Sequence, residues 1–164
     1  LFQNLRIDAA AYYDGQPKMF WCGLFDSYGV PLKPYYPFVY FGDLYRKSNE
    51  CFCMVGASQK SSAISFGVEH TDEQKEEKGG SEGIFATAAT DGKMAGVLLS
   101  NYEGPDTRVL LHFNGMEKVR NIRIRTTDRF NTDRRDFVEE AGCVIPVTIP
   151  KNSVIYLEFD VNES

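Results

Sequence analysis

Cys143-Val144-Ile145-Pro146-Val147-Thr148-Ile149, then Pro150-Lys151-Asn152, then Ser153-Val154-Ile155-Tyr156-Leu157-Glu158-Phe159-Asp160-Val161 sets an apolar residue at every second position on either side of a turn. Successive side chains of a strand point to opposite faces. Cys143, Ile145, Val147 and Ile149 therefore line one face of a first strand, and Ile155, Leu157, Phe159 and Val161 line one face of a second. The same period recurs upstream. In 107–113, Val109, Leu111 and Phe113 share a face while Arg108 and His112 take the other, and Ile122 and Ile124 alternate with Arg123 and Arg125. Segments 83–89 and 94–100 flank Thr90-Asp91-Gly92-Lys93, whose Asp-Gly pair is tight-hairpin chemistry. Segments 51–56 and 63–68 are further candidate strands, and the polar, aperiodic run 69–83 reads as a loop. Short strands with regular turns predict a mainly β fold: an antiparallel β-sandwich over residues 48–164, with one polar face per sheet.

Residues 1–47 differ in character, being dense in aromatics and prolines. Ile7-Asp8-Ala9-Ala10-Ala11-Tyr12-Tyr13 reads as a buried strand that ends in the turn residues Asp14-Gly15-Gln16-Pro17. Segment 26–33, with Gly29 and Pro31, reads as a loop. Segment 34–46 then spaces Phe38, Phe41 and Tyr45 by three and four, which predicts a helix with those three on its apolar stripe and Pro37 in its first turn. A lone strand, loop and helix cannot bury its own faces, so this segment expects a partner body; without one, its aromatics are expected to drive self-association between copies.

Composition excludes several classes. The 43% hydrophobic content suffices for a core, and the net charge of −5 speaks against nucleic-acid or membrane partners. Arginines gather in 118–135 but are interleaved with acids, as on a solvated sheet face. No apolar run approaches the roughly 20 residues that span a bilayer. The compartment stays open, because the chain begins inside what reads as a strand and the lack of a leader before Leu1 is uninformative. Cys51 and Cys53 share a strand face and read as small core residues, with a disulfide to Cys143 as the alternative. With only His70 and His112, no zinc site is expected. No nucleophile elbow, phosphate loop, dinucleotide fingerprint or calcium loop occurs, and no cofactor is indicated.

Tyr12-Tyr13-Asp14-Gly15-Gln16-Pro17, Cys22-Gly23-Leu24-Phe25-Asp26, Pro31-Leu32-Lys33-Pro34-Tyr35-Tyr36-Pro37-Phe38 and Phe41-Gly42-Asp43-Leu44-Tyr45 resemble the closing segment of β-xylosidase-like glycoside hydrolases. Ile84-Phe85-Ala86-Thr87-Ala88-Ala89, Val97-Leu98-Leu99-Ser100-Asn101-Tyr102 and Ile149-Pro150-Lys151-Asn152-Ser153-Val154 are similar to the sandwich that follows the barrel in such enzymes. The resemblance implies that 1–47 is the last strand and helix of a (β/α)₈ barrel and 48–164 an accessory sandwich bracing it. It further implies retaining chemistry on xylo-oligosaccharides or related glycosides, with carbohydrate bound through the parent catalytic domain. Retention uses two carboxyl groups about 5–5.5 Å apart. The resemblance places both before Leu1, so this chain has no catalytic residue to assign. Tyr13, Asp14 and Gln16 would lie at the C-terminal end of the last strand, where barrel sites sit, as substrate-contacting wall residues, with Trp21 as a further stacking surface. Each has an ordinary reading too: Asp14 as a turn residue, Tyr13 as wall packing, Trp21 as core. A non-catalytic carbohydrate-binding sandwich is the alternative for the whole chain, and an immunoglobulin-like interaction domain a third reading.

Overall fold

A computed structural model describes residues 11, 12, 15–17, 23–47, 50–54, 63–66 and 83–161. Among these, one helix, α1 (Tyr35–Arg46), precedes β1 (Glu50–Met54), β2 (Ala63–Phe66), β3 (Gly83–Thr90), β4 (Met94–Tyr102), β5 (Thr107–Phe113), β6 (Lys118–Thr127), β7 (Arg134–Gly142), β8 (Val144–Ile149) and β9 (Ser153–Asp160). A sheet in the order β1-β3-β4-β9-β6-β7 faces a smaller one in the order β2-β5-β8. The expected strands 7–13 and loop 69–83 lie outside the described residues, apart from exposed Ala11 and Tyr12 and from Gly83, which opens β3.

The two-residue period builds the core. Val97, Leu99, Ile155, Leu157 and Phe159 from the larger sheet meet Val109, Leu111, Phe113, Ile145, Val147 and Ile149 from the smaller, all buried in one cluster. Phe113 and Phe159 close it edge to face, with ring centroids 4.7 Å apart. The β3–β4 hairpin forms as its sequence predicts. Gly92 takes φ +83, and Asp91 Oδ1 accepts the N–H groups of Lys93 and Met94 at 2.8 and 2.7 Å. Pro150-Lys151-Asn152 carries the chain from one sheet to the other, because β8 pairs with β5 while β9 pairs with β4 and β6.

Four features depart from the sequence reading. First, β7 had no period to reveal it: every residue from Arg134 to Glu140 is exposed, because β7 is the charged outer strand of its sheet. Second, β2 pairs with β5 in parallel, so the sandwich is not wholly antiparallel. Third, Asn121 (φ +52) sits in a bulge opposite β9 between Arg120 and Arg123. The extra residue keeps Val119 and Ile122, three apart, on the same buried face. Fourth, the larger sheet is not polar on its outer side. α1 covers β3, β4 and β9 there, burying Tyr40 and Leu44 against Ala89 and Tyr156.

The helix therefore presents a different face from the expected one. Phe38, Phe41 and Tyr45 remain 47%, 38% and 67% exposed, while Tyr40 and Leu44 are fully buried. Both stripes satisfy the helical period. Tyr40 takes the inner position, where its hydroxyl finds Thr127 at the end of β6 and Asp133 in the β6–β7 turn, partners a phenylalanine could not use. Gly96 lets the helix come close: a Cβ there would stand 2.9 Å from Leu44 Cδ1 and 3.0 Å from the Tyr156 hydroxyl. Cys143 carries a free thiol, so it is in no disulfide.

Candidate functional site

The loop before α1 is built by its own side chains. Asp26 Oδ1 accepts the N–H groups of Tyr28 and Val30 at 2.8 and 2.9 Å, Gly29 supplies φ +81, and Leu32 N–H donates to the Leu24 carbonyl. That fold-back delivers the chain to Pro34 and starts the helix over the larger sheet.

A polar clamp then joins helix to sheet. The Tyr40 hydroxyl lies 3.0 Å from Thr127 Oγ1 and donates to Asp133 Oδ1 at 2.7 Å. Arg125 bridges two carboxylates, donating through Nε to Asp133 at 3.0 Å and through Nη1 to Asp43 at 2.9 Å, with its guanidinium 4.6 Å from the centre of the Tyr40 ring. One turn farther along, Lys47 and Arg123 share Glu158 at 2.7 and 2.9 Å. Burial pushes the Tyr40 phenol well above its usual range, so it serves as a neutral donor. Burial also raises Asp133, but hydrogen bonds from Arg125, Tyr40 and Arg135 outweigh it and hold the carboxyl below the ordinary aspartate value. Asp43 and Asp133 are thus committed to the same arginine. They form a brace between the helix and the sheet.

A groove of about 790 Å³ opens where the helix start meets two turns. Lys33 and Pro37 line one side, Asp128 to Phe130 of the β6–β7 turn another, and Lys151 of the β8–β9 turn a third. Asp128 organises its turn by accepting the Phe130 and Asn131 N–H groups, both at 2.7 Å. Burial raises the Asp128 carboxyl, yet the Asn131 side chain and these backbone donors bring it below its ordinary value. Lys33 Nζ pins the same turn by donating to the carbonyls of Asp128, at 2.9 Å, and Arg129.

Of the residues singled out from sequence, Tyr13, Asp14 and Trp21 lie outside the described residues. Gln16 is exposed in a bend and joins neither the clamp nor the groove. The sequence reading missed Tyr40, Arg125 and Asp133 because their spacing, up to 93 residues, carries no local pattern. Phe130 did carry a signal, as a lone aromatic within Thr127-Asp128-Arg129-Phe130-Asn131-Thr132. Among the described residues no cluster of His, Cys, Asp or Glu could hold a metal ion, and no helix is long and apolar enough to cross a membrane.

No protein-family model matches the chain, and no curated protein matches it. Solved structures do. The chain is similar to a GH30 endoxylanase from Clostridium papyrosolvens C71, with a TM-score of 0.57 and 12% identity over 85% of this chain and 30% of that one. It is similar also to a glycoside hydrolase family 30 subfamily 8 xylanase from Clostridium acetobutylicum, with a TM-score of 0.56 and 12% identity over 85% of this chain and 31% of that one. At this identity the likeness is one of fold. The fold is glycoside-hydrolase-like, and the chain spans less than a third of either protein.

Proposed function

We propose that this chain is the C-terminal part of a retaining glycoside hydrolase acting on xylo-oligosaccharides or related glycosides. Residues 1–47 are then the last strand and helix of its catalytic barrel, and 48–164 the sandwich that braces it. The observation that carries this reading is the two-faced helix. One stripe of α1 is locked to the sandwich through Tyr40, Leu44 and the Arg125 clamp, while the other displays Phe38, Phe41 and Tyr45. A helix apolar on both sides is an element shared by two bodies, as the outer helix of a barrel seated on a second domain would be. The likeness of fold to xylanases agrees with it.

In this reading the clamp is the functional device of the chain. It fixes the angle of the last barrel helix, and through that helix the strand before it, whose end would contribute Tyr13, Asp14 and Gln16 to the pocket wall, with Trp21 nearby. An aromatic ring stacks on a sugar while carboxylate and amide groups hold its hydroxyls. The carboxyl pair, about 5–5.5 Å apart for retention, belongs to the remainder of the barrel. The chain alone is expected to hydrolyse nothing. The test is a panel of nitrophenyl glycosides and xylo-oligosaccharides, assayed on these 164 residues and on the full-length product of the gene. Hydrolysis by the longer protein alone supports the reading. Hydrolysis by the 164-residue chain, or by neither, overturns it.

A further inference from the structure

The groove beside Phe130 adjoins the clamp, sharing Thr127 with it, and opens outward from there. Phe130 is 85% exposed, yet its turn is fixed by the two backbone bonds to Asp128 and by Lys33 from beneath. A single exposed aromatic is ordinary on a protein surface. What distinguishes this one is a concavity lined by polar groups with capacity to spare. The Arg129 guanidinium lies 5.6 Å from the centre of the Phe130 ring and forms no ion pair among the described residues. Asp106 accepts the Lys151 N–H with Oδ1 at 2.8 Å, and its Oδ2 takes no hydrogen bond among the described residues. Lys33 uses its ammonium on two carbonyls and has one proton without a partner among the described residues. An apolar platform with a few convergent donors and acceptors, in a cleft within the common range of about 300–1,000 Å³, is the anatomy of a small-ligand site.

We infer that this groove is a binding subsite for a neutral sugar residue of a polysaccharide chain, distinct from the barrel pocket. The pyranose ring stacks on the face of Phe130 opposite Arg129, and its hydroxyls donate to Asp106 and accept from Lys33. Stacking an aliphatic ring face on a phenyl ring removes apolar surface from water, and pre-fixing the ring by the Asp128 turn lowers the entropy lost on binding. The sugar class rests on the function proposed above; the geometry of the subsite does not. In an enzyme on polymeric substrate, such a site would hold the chain away from the point of cleavage.

The experiment is a titration of the chain with xylohexaose, and separately cellohexaose, followed residue by residue by NMR in the wild type, Phe130→Ala and Asp106→Asn. The amides of 33, 106, 128–131 and 150–152 are expected to shift on addition of xylohexaose. Phe130→Ala should weaken binding about tenfold with an unchanged melting midpoint. Asp106→Asn, which keeps the acceptor for Lys151 N–H, should weaken it less. Response to cellohexaose alone would keep the subsite and sink the xylan assignment. Shifts confined to other surfaces, equal affinity in Phe130→Ala, or no binding of either oligosaccharide would overturn the subsite. So would amides 128–131 already occluded by protein in the full-length product, since the groove would then be a domain contact. None of these outcomes alters the hydrolysis assay, so the two proposals fail separately.

Discussion

Arg125 is the residue on which the helix depends, since Asp133, Asp43 and the Tyr40 ring all converge on it. Removing one member leaves the others half-buried with unmatched charge, a cost of about 1–3 kcal/mol by analogy with hydrogen-bonded charged groups. Asp133→Asn is expected to lose stability of that order at neutral pH, read as a lower denaturant midpoint with an unchanged slope. The acid limb gives an independent check. The folded Asp133 carboxyl sits below its unfolded value of about 3.9, so its contribution is complete above that pH and is lost as pH falls through the folded value. The wild type should therefore lose stability below about pH 4, and Asp133→Asn should fall less steeply over that window. Equal acid slopes would show that the clamp carries no linkage. Thr126 offers the opposite sign. It is 1% exposed on the interior side of β6, and its Oγ1 finds no hydrogen-bond partner among the described residues. Thr126→Val removes that stranded hydroxyl at nearly constant shape and should raise the melting temperature, by a stabilisation of about 1 kcal/mol; a lower melting temperature would mean the hydroxyl is satisfied in solution.

Close approach of α1 to β4 depends on the absence of a side chain at Gly96. Gly96→Ala would set a methyl group against Leu44 and Tyr156, both buried and unable to swing aside. The expected loss is about 1–3 kcal/mol, measured by chemical denaturation, with the helix pushed outward and the Tyr40–Asp133 bond weakened. An unchanged midpoint would show that the helix floats on the sheet. The same element shows where sequence reasoning held and where it stopped. Strands β5, β8 and β9 were legible, since burial on one side imprints a period of two, and Asp91-Gly92 announced the β3–β4 hairpin. β7 was illegible because an exposed edge imposes no apolar pattern. In α1 the period was readable but the inward face was not: the choice between Phe38-Phe41-Tyr45 and Tyr40-Leu44 is settled by Thr127 and Asp133, which are distant in sequence. The groove was invisible for the same reason, being assembled from segments around 33, 128 and 151.

For the molecule as a whole, the outer stripe of α1 is the surface that asks for cover. Phe38, Phe41 and Tyr45 are accompanied by Tyr12, whose ring meets Phe38 edge to face at 4.9 Å, and Phe41 and Tyr45 stack at 6.5 Å. A contiguous aromatic surface of this kind is unstable in water and seeks cover. In the proposed parent it is covered by the rest of the barrel; in the chain alone the cover available is a second copy. Sedimentation velocity of the 164-residue chain should accordingly show a weight-average coefficient that rises with concentration. The double variant Phe41→Glu, Tyr45→Glu should sediment as a monomer, and its thermal midpoint should stay close to wild type because neither ring contributes to the inner face. In the full-length product the same pair of substitutions should act oppositely, lowering the melting temperature by introducing two charges into a buried contact. A chain that stays monomeric at every concentration, with a full-length protein indifferent to both glutamates, would mean that this face is open surface in both forms, and the shared-helix argument for a barrel partner would fall with it.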